Sequence, residues 1–308
     1  MRRLSQRTFV DDQAVTARPK QPTYAERLLA ELDDIAASYA DIHAASGIED
    51  YDLKFRGSGL VGFARYGWES SDDQLEAARM TLLRKVRDWK PRFRLLFPHP
   101  TPNVSERLDN GYERLEVWLT RDGGGYDIPP TIAEAQEKLM NTVTDLRGLI
   151  DLLPPDDQAV RLVVDTNALI DNPDVAAYTA ELGPRYVAHL LPAVLREIDE
   201  LKRGGKNDIV RSGAQRAERR LKGIRTNGDV REGVRVAGDV IAKFEHIEPR
   251  SDDLPDWLDM TVPDDRIVAS TLLLQSQHPG SALYVATGDI NMQTKLSAVG
   301  IPFVEPPE

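Results

Sequence analysis

Apolar residues along the chain recur with two different periods. From Thr23 onward, Leu28, Leu29, Leu32, Ile35, Ala36, Tyr39 and Ile42 fall on a three-to-four spacing, which predicts an amphipathic helix. Thr23 and Glu26 have the spacing of a capping box at its start, and Gly47 is a natural stop. A second helix is predicted from about Ser71 to Lys90, ended by Pro91. A third starts at Thr131, with a capping box to Glu134. It carries Ile132, Ala135, Leu139, Val143, Leu146 and Ile150 on one stripe, and Pro154 and Pro155 break it. Residues 52–68 set Leu53, Phe55, Leu60, Val61, Phe63 and Tyr66 among glycines, which reads as a hairpin or an irregular packed loop. Residues 98–131 are rich in Pro, Gly and Asn around one short apolar stretch, Leu115–Leu119, and no element is assigned there.

After Asp157 the period shortens. Ala159–Val164 is an apolar run of strand length followed at once by Asp165, Thr166 and Asn167. Tyr186–Leu191 reads as a second strand, with a helix starting at Pro192. Val234–Ile247 alternates as a hairpin would around Ala237, Gly238 and Asp239. Asp264–Gln277 reads as a helix with Ile267, Val268, Thr271, Leu272 and Leu274 inward. Ala282–Ala286 is a buried strand ending in Thr287, Gly288 and Asp289, and Phe303–Val304 adds a short last strand. Strands alternating with helices predict an α/β unit with a central parallel sheet covered on both faces, preceded by a mostly helical part. The expected division is a flexible N-terminus at 1–22, a mostly helical N-terminal domain at 23–153 and an α/β domain at 159–308.

Composition narrows the chemistry. The chain of 308 residues has no cysteine, which removes disulfides, thiolate metal sites and a cysteine nucleophile. No apolar run approaches the ~18 residues of a membrane span. The N-terminal MRRLSQRTFVDDQ lacks the apolar core of a signal peptide, so a cytoplasmic location is expected. A net charge of −11 opposes coating nucleic acid along a whole surface, although a local basic patch remains open. Such a patch is offered by Lys202, Arg203, Lys206, Arg211, Arg216, Arg219, Arg220, Lys222 and Arg225, opposed only by Asp208 and Glu218; an ordinary solvated helix face is the other reading. The five histidines are scattered, which argues against an imidazole base or a zinc site. Neither Gly123–Gly125 nor Gly204-Gly205-Lys206 continues as a P-loop.

The acidic residues carry more. In an open parallel sheet, ligands bind beyond the carboxyl ends of the strands. Asp165 and Asp289 each follow an apolar strand, Asp264 opens a helix, and Glu197 lies on the first turns of the helix after the second strand. Each alone is commonly a cap or a turn former. Bringing two carboxylates to about 4 Å costs roughly 4 kcal/mol at an effective dielectric of 20, so a converged cluster implies a cation or a shared proton. Spacing alone leaves caps and a metal site both open.

The segments VVDTNALID, PAVLREIDELK, PDDRIVAS and VATGDINMQTKLSAVGI, in this order over about 150 residues, resemble the PIN domain family. That resemblance implies a Rossmann-like fold and a metal-dependent nuclease, most often a ribonuclease. It implies Asp165, Glu197, Asp264 and Asp289 as the carboxylates that bind Mg²⁺ or Mn²⁺ and catalyse hydrolysis, with Asp265 as the fallback for the third. Asn167 and Thr287 are similar to the polar residues that support the first and last aspartates. Lys202, Arg203, Arg211, Arg216, Arg219 and Arg220 are then the expected contacts to nucleic acid, RNA before DNA, and a homo-oligomer is open. The resemblance does not extend to the N-terminal half. Three rivals stand beside it: a non-catalytic binding module, a toxin paired with an antitoxin, and a phosphatase of the haloacid dehalogenase type. The last normally needs a second Asp where this chain has Asn167, and the toxins are usually a lone small domain.

Overall fold

The helical part is built by caps and apolar stripes. In the computed structural model, which describes residues 22–51, 66–122, 128–205, 207–250, 254–255 and 257–307, α1 spans Tyr24–Ala44. Its capping box is formed, with Glu26 N donating to Thr23 Oγ1 at 3.2 Å and Thr23 N to Glu26 Oε2 at 2.6 Å. The N-terminus expected to be flexible, most of the 52–68 hairpin, the Gly123–Gly125 loop and Lys206 lie outside the described residues. Two short strands that flank the second of these segments, β1 (Ile48–Asp50) and β2 (Tyr66–Trp68), pair antiparallel.

Two expectations for this part are corrected. Helix α2 (Asp73–Arg94) does not stop at Pro91 but continues through it. A proline so near the end removes one bond of the last turn, and burial of Phe93, Leu96 and Phe97 just beyond offsets that loss. The region left without an element holds a full helix, α3 (Pro102–Thr120). Its breakers are placed where a helix tolerates them. Pro102 sits in the first turn, where its missing N–H has no intrahelical partner to lose. Gly111 faces α4 (Ile132–Gly148), where a Cβ would come within 2.7 Å of the Leu146 side chain. Among the described residues, α1 packs on α2 and α4, and α3 on the same two, closing a four-helix bundle. Trp89, Tyr39, Leu28, Phe93 and Leu115 fill its core. The polar ends of the two ring systems are satisfied: Trp89 Nε1 donates to Leu28 O at 2.9 Å and Tyr39 Oη to Leu115 O at 2.5 Å.

The α/β part follows the order β3 (Val160–Val164), α5 (Thr166–Asp171), α6 (Thr179–Leu182), β4 (Arg185–Leu190), α7 (Pro192–Gly204), α8 (Asp208–Thr226), β5 (Val234–Ala237), β6 (Asp239–Phe244), α9 (Pro263–Gln277), β7 (Ala282–Ala286), α10 (Ile290–Ala298) and β8 (Phe303–Val304). Among the described residues these strands form a six-stranded sheet in the order β5-β6-β4-β3-β7-β8. Every neighbouring pair is parallel except the β5–β6 hairpin, which turns at Gly238 with φ +50°. Strand β3 lies fully covered in the middle, with Leu162, Val163 and Val164 at 0 % exposure. A parallel sheet buried on both faces needs such continuous apolar runs.

The start of α1 docks on the α/β part. Tyr24 N donates to Ser281 O at 3.2 Å, Ala25 N to Pro279 O at 3.0 Å, and Arg27 Nη1 to Gly300 O at 2.8 Å. Leu95, just past α2, is buried within the apolar core of the sheet. No described helix is long and apolar enough to cross a membrane.

Candidate functional site

The chain leaves β3 toward β4 on one side and returns to β7 on the other, so β3 is where the strand order reverses. Such a reversal opens a crevice at the carboxyl ends of the strands. Asp165 is the residue that follows β3 there. It is the N-cap of α5 and is 4 % exposed. Its Oδ1 accepts from Thr166 N at 2.6 Å and its Oδ2 from Thr287 Oγ1 at 3.0 Å. Thr287 follows β7, is fully buried, and also accepts from Asp289 N at 3.1 Å. One hydroxyl thus ties the ends of two adjacent parallel strands together.

Glu197 approaches from the second turn of α7, where its Oε2 accepts from Thr166 Oγ1 at 2.7 Å. Asp264 lies in the first turn of α9. Its Oδ2 accepts from Asn291 Nδ2 at 3.3 Å and lies 3.7 Å from Lys295 Nζ. Asp289 caps α10, with Oδ1 accepting from Asn291 N at 2.7 Å and Met292 N at 3.1 Å. The neighbouring Asp265 turns inward. Its Oδ2 accepts from Asp259 N at 2.9 Å and its Oδ1 pairs with Lys295 at 2.5 Å, so it holds the loop before α9.

Electrostatics joins three of these groups. Burial pushes the Asp165 carboxyl up to about 6; the bonds from Thr287 and Thr166 act the other way, and the negative charges of Glu197 and Asp264 add to the rise. Of the two adjacent aspartates, it is Asp264 whose charge reaches Asp165. Asp289 is linked to Asp165 through its backbone N–H, which shares the Thr287 hydroxyl; its carboxylate caps α10 and is not among the charges that raise Asp165. Among the described residues, no three Asp, Glu or His side chains converge tightly enough to form a ready-made cation site.

Asn167 is exposed on α5 and takes no part in the bonds to Asp165, which come from Thr166 and Thr287. Sequence reasoning passed over Thr166, Asn291 and Lys295. Thr166 stands between two residues that were singled out, and it touches Glu197 only because α7 packs on α5. Asn291 and Lys295 share one helix face at i, i+4, a signal visible only once α10 is recognised.

The basic stretch lies on α7 and α8, and α8 packs across α5, the helix that Asp165 caps. Half of its singled-out cations are engaged internally. Lys202 bonds Asp199 and Glu218, Arg211 pairs with Asp208, and Arg220 pairs with Asp174. Arg203, Arg216 and Arg219 are exposed and form no ion pair among the described residues. Arg216 Nη2 donates to Ile170 O at 3.4 Å, and Arg219 Nε to Gln215 O at 3.3 Å.

The α5–α8 contact rests on a glycine. A Cβ at Gly213 would lie 2.5 Å from Ile170 Cγ2 and 2.9 Å from the Ile170 carbonyl oxygen. Alanine favours a helix by up to ~1 kcal/mol over glycine, but the clash with backbone forces the helices apart. Gly213→Ala is therefore expected to destabilise by about 1–3 kcal/mol in urea melts. A gain in stability would show that α5 gives way freely.

Comparison with curated proteins found no match. Residues 162–305 match the family model described as the PIN domain, a family of typically nuclease proteins. The matched span runs from the middle of β3 to just past β8 and takes in all four acidic segments, so the C-terminal half of this chain belongs to the PIN domain family.

Proposed function

We propose that the protein is a divalent-metal-dependent endoribonuclease and that Asp165, Glu197, Asp264 and Asp289 carry the reaction. The observation behind this reading is the buried Asp165 carboxyl, raised by burial and by two like-charged neighbours at a strand-order reversal. The donor set fits a hard cation: it is made of carboxylate oxygens, with no imidazole or thiolate, which suits Mg²⁺ or Mn²⁺. A cation there would relieve the repulsion that raises Asp165. Asp165 and Glu197 would hold it, with Asp264 and Asp289 facing them. When bound, the ion supplies an activated water and stabilises charge on phosphate oxygens. The chain's own part is positioning: Thr287 fixes one Asp165 oxygen, and Thr166 fixes Glu197. Two separate apolar cores, one in the bundle and one about the sheet, support reading residues 23–153 and 159–308 as two domains.

The test is to incubate labelled single-stranded RNA, structured RNA and DNA with the protein in Mn²⁺, Mg²⁺ or EDTA. Cleavage of RNA that EDTA abolishes is expected. Since no ready-made three-ligand group is formed among the described residues, the second reading is a module that binds nucleic acid without cutting it. RNA binding with no cleavage in any metal would establish that alternative.

Phosphate contact is assigned to the unpaired cations. Replacing Arg203, Arg216 and Arg219 together by Ala is expected to weaken RNA binding regardless of sequence. The slope of log K against log salt should fall by roughly 2, at about 0.7 for each single-strand phosphate that is no longer neutralised. The same change at the internally paired Arg211 and Arg220 should alter the slope little. Equal slopes for wild type and the triple variant would leave the stretch as ordinary solvated surface.

A further inference from the structure

Lys295 is the one ammonium among the described residues that reaches the acidic cluster. It projects from α10, lies 2.5 Å from Asp265 Oδ1 and 3.7 Å from Asp264 Oδ2, and is mostly buried, with 19 % of its side chain exposed. Asn291, one turn earlier on the same face, donates to Asp264 Oδ2. Asp289 is occupied by two backbone amides of α10. The α9–α10 side of the cluster therefore holds one positive charge, beside Asp264 and Asp265, and Asp264 and Asp289 accept hydrogen bonds from within the chain. The Asp165–Glu197 side is different: its partners are the uncharged Thr166 and Thr287, which supply hydroxyl and amide donors and no positive charge.

We propose that Lys295 takes the place of a second cation, so that the site binds one divalent ion, held mainly by Asp165 and Glu197. This rests on the reading of the cluster as a metal site. A positive charge fixed beside Asp264 repels a second divalent ion and cancels part of the negative charge that would attract it. A flexible, compact ammonium suits this role, because it needs no fixed planar geometry to serve two carboxylates at once.

The test is Mn²⁺ stoichiometry by isothermal titration calorimetry, checked by the electron paramagnetic resonance of free Mn²⁺, on the full chain without nucleic acid. Wild type is expected to bind one ion. Lys295→Met is expected to bind two, and Lys295→Arg, which keeps the charge, one. Lys295→Gln retains a donor for Asp265 and guards against a fold lost with the Met variant; it too is expected to bind two. Two ions on wild type, or one on both neutral variants, would overturn the role of Lys295 and leave the metal site standing. No ion on any of the four proteins would overturn the role and the metal reading together.

Discussion

Asp165→Asn is expected to abolish metal-dependent cleavage while raising the melting temperature measured in EDTA. The substitution keeps the shape of the side chain and removes a charge that the fold holds at a cost. The folded carboxyl sits at about 6 against an ordinary 3.8, so the folded state binds its proton more tightly than the unfolded state does. Asp165 therefore favours folding below about 4, and that contribution is lost as the pH rises through about 6. At pH 7 the penalty is on the order of 1–3 kcal/mol, since each tenfold change in proton affinity corresponds to roughly 1.4 kcal/mol. Asn retains the acceptor for Thr166 N but gives up one acceptor for the Thr287 hydroxyl, which takes back part of the gain. Wild type in EDTA should lose stability between pH 4 and 7 more steeply than the variant. Adding Mn²⁺ should raise the wild-type melting temperature by mass action, and this rise should shrink in Asp165→Asn. Paired thermal melts in EDTA and in Mn²⁺ decide the matter. A marked loss of stability in EDTA would identify Asp165 as a scaffold residue and remove the centre of the proposed site.

Arg161→Met is expected to cost about 3–5 kcal/mol, because it breaks a buried ionic network and leaves its partners uncompensated. Arg161 is 4 % exposed on β3. Its Nη2 lies 2.9 Å from Asp156 Oδ1, its Nε donates to Ser281 Oγ at 2.9 Å, and its Nη1 lies 3.3 Å from His189 Nε2. His189, fully buried on β4, meets Glu245 through Nδ1 at 2.8 Å, and His278 meets Asp156 at 3.1 Å. The network thus joins β3, β4, the end of β6 and the turn before β7. Burial drives His189 down to about 4; the bond to Glu245 opposes this, and the charge of Arg161 adds to it. The folded state therefore resists protonation of His189, and stability falls as the pH drops from 6.5 toward 4. Removing the guanidinium takes away one cause of that resistance, so the variant should be much weaker at pH 7 yet less acid-sensitive over this window. Urea melts at pH 7 and pH 5 measure both effects. A loss below about 1 kcal/mol at pH 7 would show that the network relaxes around the gap.

Periodicity alone set out much of this architecture. An apolar run such as Leu162–Val164, of strand length and followed at once by Asp165, fits a strand buried in a two-sided sheet, so β3, β4 and β7, and the acids that follow them, were legible from the chain. The capping-box spacings at Thr23 and Thr131 marked helix starts because their partners lie three residues away. The box closes fully at Thr23, while at Thr131 the Thr hydroxyl caps Glu134 N and the Glu134 carboxylate meets that hydroxyl instead of the Thr131 N–H. Signals of this kind are local, and the sequence contains both halves of each. Helix α3 was not legible, because Pro102 and Gly111 read as breakers until the position of α4 explains the glycine. The helix running past Pro91 was hidden for the same reason, since burial beyond the proline is what sustains it.

At the site, the sequence determined which acids stand at strand ends and helix starts. Tertiary structure decided how each is used. Thr166 reaches Glu197 across 31 positions and Thr287 reaches Asp165 across 122, and both contacts exist only because crossovers bring distant strand ends to one edge of the sheet. The same packing turned Asp265 inward to the loop before α9, left Asp264 as the one of the pair whose charge acts on Asp165, and placed Lys295 beside both Asp264 and Asp265. It also divided the basic stretch into cations paired with Asp174, Asp208 and Glu218 and cations left facing water. Charge and hydrogen bonding act over a few ångströms of space and not along the chain, so these assignments had to wait for the fold.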